Sequence, residues 1–304
     1  MDKVKAMQTF VRIVEANSFT KAAETLALPR ASLTATMQNL EAFLGTQLLQ
    51  RTTRRLSLTP DGAAYYRQCV EILAAIDTAE SSFLGPQARK PKGKLRVELP
   101  TAIGRYLVLP RIGQFHAAYP EVELAISMSD RLVDLMQEGI DCAVRIGQLQ
   151  DSGLVGRQIG TLRILTCASP DYLERYGWPQ SLNEFPSHRG IVHFSGRTGR
   201  PFDWEFMVNG ELVKLAVSGP IGVSAADANV ICVLQGLGLG QVGAYQVRQY
   251  LAEGKLIEVL PETPPTPMPI SLLYPQGRMA MPKLSAFAAW LTALFAQEAD
   301  LCLA

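Results

Sequence analysis

A proline at position 29 ends one helical pattern and starts another. Upstream of it, Ser18 stands where a helix N-cap belongs. Ala22, Ala23 and Leu26 then share one face of a short helix over about 19–26. Pro29 lacks a backbone N–H and has a fixed φ, so it breaks that helix at Leu28-Pro29 and suits the start of the next. Leu33, Met37, Leu40 and Phe43 or Leu44 form a second apolar stripe over about 30–44, closed by Gly45. A first helix over about 3–16 carries Val4, Met7, Phe10, Val11 and Val14 at helical spacing. Two short helices about a tight break form the helix-turn-helix pattern.

The outward face of the third helix holds Arg30, Ser32, Thr34, Ala35 and Gln38, with no acid from Arg30 to Asn39. Such short side chains permit close approach to a major groove, and Arg and Gln can pair with base edges. An ordinary solvated face is the alternative, although those usually mix Glu with Lys. After Gly45, "TQLLQRTTRRLSLTPDG" alternates as two short strands joined at Thr52–Arg54, a hairpin wing bearing Arg51, Thr53, Arg54 and Arg55. Thr59 then reads as an N-cap, Pro60 as the first helical residue and Asp61 as a first-turn acid. Residues 60–84 read as one long helix. Tyr65, Cys69, Ile72, Ile76, Ala79 and Phe83 form a heptad seam for a partner helix, or a stripe packed on the helix's own domain.

Charge separates the chain into two regions. Residues 1–96 carry a net +6 and residues 97–304 a net −5, within a total of +1. A basic head on an acidic body suggests a polyanion partner for the head; a chance imbalance of surface charge is the plain alternative. Of 304 residues 48% are hydrophobic and 19% charged, as in a soluble two-domain protein, and no apolar run is long enough for a membrane span. "MDKVKAMQTF" has no signal-peptide pattern, so a cytoplasmic location is expected. Cys69, Cys142, Cys167, Cys232 and Cys302 are scattered without a CxxC pair and are expected to be reduced and mostly buried.

From Lys94 strand and helix signals alternate. "KLRVELP", "VELAISM" and "DCAVRIG" read as strands. "IGRYLVLPRIGQFHAAYP" and "RLVDLMQEG" read as helices. That order predicts a parallel sheet. The pattern resumes in "GIVHF", "SAADANVICVLQG" and "LGLGQVGAY", and a last helix covers about 282–298. Ligands of open α/β sheets bind beyond the carboxyl ends of strands. Those ends offer Thr101 and Ala102; Ser127, Ser129 and Asp130; Arg145 and Gly147; and Ser224 and Ala225. Helix capping alone would also account for the hydroxyls. The Gly-rich stretch "HFSGRTGRPFDWEF" adds Thr198 and Arg200, either at a cleft mouth or in a plain exposed loop.

"GLGLG", residues 236–240, follows a helix and enters a strand, the reverse of a dinucleotide fingerprint. No GxxxxGK[ST], HExxH or GxSxG occurs, and His116, His188 and His193 form no pattern. No catalytic residue, metal site or cofactor is expected. A solute-binding protein or small-molecule enzyme would explain the body but leave the basic head idle. A non-specific nucleoid-type binder would leave the body idle.

"FVRIVEANSFTKAAE", "LE…LG…LLQRTTR" and "LT..G..YY" resemble the N-terminal region of LysR-type transcriptional regulators over about 90 residues. Many members have Ser-x-Pro-Ala-x-Ser where this chain has Pro29-Arg30-Ala31-Ser32-Leu33-Thr34, so the proline lies two positions earlier and Arg30 replaces a common Gln. The resemblance implies an all-α winged helix-turn-helix over 1–59, a dimerising linker helix over 60–84 and a hinge over 85–93. A type 2 periplasmic-binding-protein-like α/β domain would follow over 94–304, with subdomain I at 94–163 and 268–304 and subdomain II at 164–267. It implies DNA contacts from Ser18, Thr20, Arg30, Ser32, Thr34, Gln38, Arg51, Thr53, Arg54 and Arg55, on a pseudo-palindromic operator. The strand-end residues and Thr198 with Arg200 would converge on a small-molecule effector. Further implied partners are a second copy in a dimer through the linker helix, a tetramer built from two such dimers, and RNA polymerase.

Overall fold

The computed structural model describes residues 1–51, 56–83, 90–131, 133–135, 138–149, 153–276 and 278–301, without the side chains of 51, 74, 77, 78, 80–83 and 280. The chain divides into two compact units, residues 1–90 with 277–282 and residues 91–276 with 283–304.

The first unit opens with α1 (Lys3–Ala16), α2 (Phe19–Leu26) and α3 (Arg30–Leu44). Each boundary has a local cause. Asp2 accepts a hydrogen bond from Lys5 N, and Ser18 accepts one from Lys21 N. Pro29 precedes α3, and Gly45 closes it at φ 69°. Phe10, Ile13, Ala22, Leu33, Met37 and Leu40 make one core. Two positions of the expected stripes lie outside it. Val4 is 37% exposed, and Phe43 is 60% exposed with the Lys3 ammonium 4.7 Å from its ring centroid. Leu44, not Phe43, packs on the core, because the buried stripe steps by three and four from Leu40 and can take only one of two adjacent residues.

The wing strands β1 (Leu49–Arg51) and β2 (Leu56–Leu58) pair antiparallel. Glu41 on α3 holds the wing: its Oε1 accepts from Leu48 N at 2.8 Å and Leu49 N at 3.1 Å. Thr59 caps α4 (Pro60–Phe83) by accepting from Gly62 N at 2.8 Å. Tyr66, Cys69 and Val70 are buried in the head's own core, with Tyr65 packed against it. The first part of the heptad seam therefore belongs to the head rather than to a partner. Ile72 is exposed and Ile76 half-buried.

In the second unit, β3 (Gly93–Leu99), β4 (Val122–Met128), β5 (Cys142–Ile146), β6 (Leu154–Leu162) and β14 (Met268–Pro275) form a sheet of order β4-β3-β5-β14-β6. Strands β3, β4 and β5 are parallel, but β14 runs antiparallel to both β5 and β6. The sheet is mixed, which corrects the parallel expectation. Alternating local signals report the βαβ crossovers but not a strand arriving from far along the chain. Helical residues 101–118 join β3 to β4 as α5 (Thr101–Ile103), a π turn, a 3₁₀ turn and α6 (Ile112–Ala118). The expected helix over 131–139 is absent among the described residues, which form turns with Glu138 N donating to Asp134 O and Ile140 N to Leu135 O. Val133 and Leu135 both enter one cluster with Ile140 and Leu273. That two-residue spacing is not a helix face.

The chain leaves β6 and enters a second sheet at β7 (Ile164–Ala168), with Arg163 between. Then follow α7 (Pro170–Tyr176), β8 (Val192–His193), the antiparallel hairpin β9 (Trp204–Val208) and β10 (Glu211–Leu215), β11 (Gly222–Val223), α8 (Ala226–Leu234), β12 (Gly240–Gly243), α9 (Ala244–Ala252) and β13 (Ile257–Glu258). The second sheet has the order β12-β7-β13. The hairpin was not foreseen within "PFDWEF". The last helix is α10 (Pro282–Ala296). The glycines after α8 act as turn and close packing: Gly236 has φ +68°, and a Cβ on Gly238 would lie 2.7 Å from Arg189 O.

Gly62 has no room for a side chain, since a Cβ there would meet Leu48 O at 1.9 Å. Gly62→Ala should destabilise the head by about 1–3 kcal/mol or more, read as a lower melting temperature of the full-length protein. Gly113→Ala, in a helix with nothing within 4 Å, should leave melting unchanged or raise it.

Candidate functional site

On the head, Arg30, Ser32, Ala35 and Gln38 are exposed along α3, and Thr34 is half-buried. Leu33, Met37 and Leu40 anchor the opposite face of the helix. No side chain caps the start of α3, and Ser32 N there donates to Pro29 O at 2.9 Å. Thr20 is exposed at the start of α2, and the Ser18 hydroxyl oxygen is engaged as the α2 cap. Arg51 ends β1. Thr53, Arg54 and Arg55 lie outside the described residues, as do hinge residues 85–89 and Cys302.

On the body, strand pairing gathers the other candidates. Glu98 of β3 stands opposite Ser127 of β4 and Ala143 of β5, while Arg145 of β5 stands opposite Ser271 of β14. Strand alternation therefore puts Ser127, Glu98, Arg145 and Ser271 on one face. Glu98 is only 2% exposed. Its Oε1 accepts from the Ser129 hydroxyl at 2.8 Å, and its Oε2 from the Ser127 hydroxyl. Beside it Arg145 is 8% exposed. Its Nη1 donates to Val144 O, and its Nη2 has no hydrogen-bond partner. Thr101 N donates to Asp130 Oδ1 at 2.9 Å, which draws Asp130 over the end of β3. Ala102 is buried. Gly147, at φ +94°, donates its N–H to Pro269 O.

Charge links this cup to the second lobe. Burial lowers the Arg145 pKa, opposed by the charges of Glu98, Asp130 and Glu138. Burial likewise lowers the His193 pKa, opposed by a hydrogen bond with the Ser224 backbone and by Asp130. Burial raises the Tyr245 pKa, helped by Asp227, Asp130 and Tyr106. Asp130 thus acts on side chains of β5, β8 and α9. The lobes also meet directly. Arg105 Nη1 lies 3.0 Å from Asp227 Oδ2, and the rings of Tyr106 and Tyr245 pack edge-on at 6.2 Å.

Thr101, Ser127, Ser129, Asp130 and Arg145 come together, and none of their hydroxyls is a helix cap. Ser224 is exposed just before α8, whose N-cap position is Ala225. Thr198 and Arg200 are exposed and bonded within their own turn, where Arg200 N donates to Thr198 Oγ1. Glu98, His193 and Tyr245 were missed. Glu98 had a readable signal: one acid among Leu95, Val97 and Leu99, on the opposite face of its strand. Among the described residues no group of three His, Cys, Asp or Glu could hold a metal ion. Burial pushes the Cys69 thiol up to about 11 and that of Cys167 up to about 12.

A three-helix head with a wing, a long helix and a two-lobed α/β body with a polar cup define a ligand-responsive, DNA-binding transcription regulator. Residues 4–63 match the family model described as the bacterial regulatory helix-turn-helix protein, lysR family, and residues 88–296 match the LysR substrate binding domain. The chain belongs to the LysR family of transcriptional regulators and is not an enzyme. It is 38% identical to the uncharacterized HTH-type transcriptional regulator YhjC of Escherichia coli (strain K12), over 99% of this chain and 100% of that one. It is 37% identical to an HTH-type transcriptional repressor of Pseudomonas aeruginosa (strain UCBPP-PA14), over 99% and 95%. Its structure is similar to that of CrgA, a LysR-type transcriptional regulator from Neisseria meningitidis, with a TM-score of 0.59 and 32% identity over 95% and 97% of the two chains. Such regulators bind DNA through the helix-turn-helix, hold an effector in the substrate-binding domain and oligomerise.

His193 titrates below its ordinary 6.5 in the folded chain. As pH falls through about 6.5 the unfolded chain takes up that proton first, so folding stability declines. His193→Gln should flatten the fall in melting temperature between about pH 7.5 and 5.5; an unchanged slope would mean the ring is free to protonate in the fold.

Proposed function

We propose that the chain regulates transcription as a homodimer, and as a tetramer built from two such dimers, with α3 in the major groove of each half of a pseudo-palindromic operator. The observation that carries this reading is the exposed, acid-free face of α3, rigidly backed by Leu33, Met37 and Leu40. Arg30, Ser32, Thr34 and Gln38 meet base edges and nearby phosphates. Ser18, Thr20, Arg51, Thr53, Arg54 and Arg55 hold the sugar–phosphate backbone or the minor groove. The head is 1–59, the dimerising helix 60–84 and the hinge 85–93. Subdomain I is 94–163 with 268–304, and subdomain II is 164–267. Exposed Ile72 and half-buried Ile76 support a partner helix on the later part of α4.

The effector lies between the lobes, against Thr101, Ala102, Ser127, Ser129, Asp130, Arg145 and Gly147 on one side and Ser224 with Ala225 on the other, with Thr198 and Arg200 at the mouth. The ion pair Arg105–Asp227 and the Tyr106–Tyr245 contact support a lobe arrangement that the effector adjusts. The regulator works in the cytoplasm, with RNA polymerase as a further partner.

Binding to duplex DNA tests the head. Arg51→Ala should weaken binding to all sequences and reduce the salt slope by about one counterion; an intact slope would remove Arg51 from the phosphate contacts. Arg30→Ala should relax sequence preference, with a loss of about 1–3 kcal/mol on the selected site and little on random DNA. Equal losses on both would remove Arg30 from base reading.

A further inference from the structure

The cup on the first lobe restricts the chemistry of what can fill it. Both oxygens of Glu98 are occupied by serine hydroxyls. The unmet capacity nearby is Nη2 of Arg145, in a side chain more than nine-tenths buried. A buried guanidinium N–H without an acceptor is costly, and a carboxylate oxygen is its natural complement. A simple anion, however, would sit beside Glu98 and Asp130, two negative charges against one positive. A simple cation would suit Asp130 but leave Nη2 unmet.

Asp130 supplies the second half of the argument. Thr101 N holds its Oδ1, and among the described residues it has no ion-pair partner. No ion pair joins it to the second lobe among the described residues: Tyr245 presents a hydroxyl, and burial keeps His193 on the neutral side. On its own lobe, Arg105 is already paired with Asp227. Resting on the effector-cleft reading above, we propose that the effector is a zwitterion of the α-amino-acid class, with its carboxylate on Nη2 of Arg145 and its ammonium on Asp130. Thr101 N holds Asp130 at the end of β3, and Arg145 lies on the neighbouring strand β5, whose backbone runs roughly 5 Å from that of β3. An α-amino acid carries its ammonium and its carboxylate on one carbon, so a single small molecule offers both charges to the two neighbouring strand ends. The serines beneath hold Glu98 in place and need not touch the ligand.

The test uses the full-length protein and thermal melting in the presence of each proteinogenic α-amino acid in turn. The best of them is then compared with the amine lacking its carboxylate and the acid lacking its amine. At least one amino acid should raise the melting temperature. Each analogue should bind about tenfold more weakly or worse, as should the amino acid to Asp130→Asn and to Arg145→Lys. Asp130 is exposed, so Asp130→Asn keeps the test open if Arg145→Lys fails to fold. Absence of a shift with every amino acid overturns the proposal. If the deaminated acid binds as well and Asp130→Asn is silent while Arg145→Lys abolishes binding, the amino-acid class fails and the cleft stands. An amino acid whose binding ignores both substitutions removes the class assignment and the cleft together.

Discussion

A carboxylate nearly sealed from water organises the ligand-binding half of this protein. Glu98 is the penultimate residue of β3, and the same strand sends Leu95, Val97 and Leu99 into the core. A buried charge is tolerable only with donors and a counter-charge close by. The register of β4 brings Ser127 to it, Ser129 reaches it from just beyond that strand, and β5 brings Arg145 alongside. Removing any of these leaves an unbalanced group inside the sheet. The strand ends are thereby fixed relative to one another, and the cup above them inherits that order.

The head is organised by a similar economy. Glu41 lies on α3 yet serves the wing, using one oxygen for two successive backbone N–H groups. Gly62 then lets α4 approach so closely that the carbonyl of Leu48 occupies the space of a side chain. The wing is thus tied to α3 by charge and to α4 by contact.

The legible parts of the fold were those with local causes. Ser18, Pro29, Gly45, Thr59 and Pro60 mark helix ends through their own local chemistry, and the starts of α2, α3 and α4 and the end of α3 follow from them. Strand direction was not legible, because β14 finds its place between β5 and β6 through pairing across more than a hundred residues. The helix expected over 131–139 was misread because Val133 and Leu135 imitate part of a helical stripe while packing two apart. The cup was half legible. Its hydroxyls, Asp130 and Arg145 stand where strands end, but Glu98 sits inside a strand and His193 and Tyr245 approach from the other lobe. Only tertiary structure says that these meet.

The burial of Tyr66, Cys69 and Val70 within the head has a mechanical consequence. The early turns of α4 are part of the head's core, so the helix and the reading face form one solid piece. A twist applied farther along α4 reaches α3 as a change of heading, with no joint in between to absorb it. In the dimer proposed above, two such pieces paired along their helices act like the arms of a caliper, whose opening is set by where the shafts cross. Small movements at the shafts then become large changes in the gap between the tips.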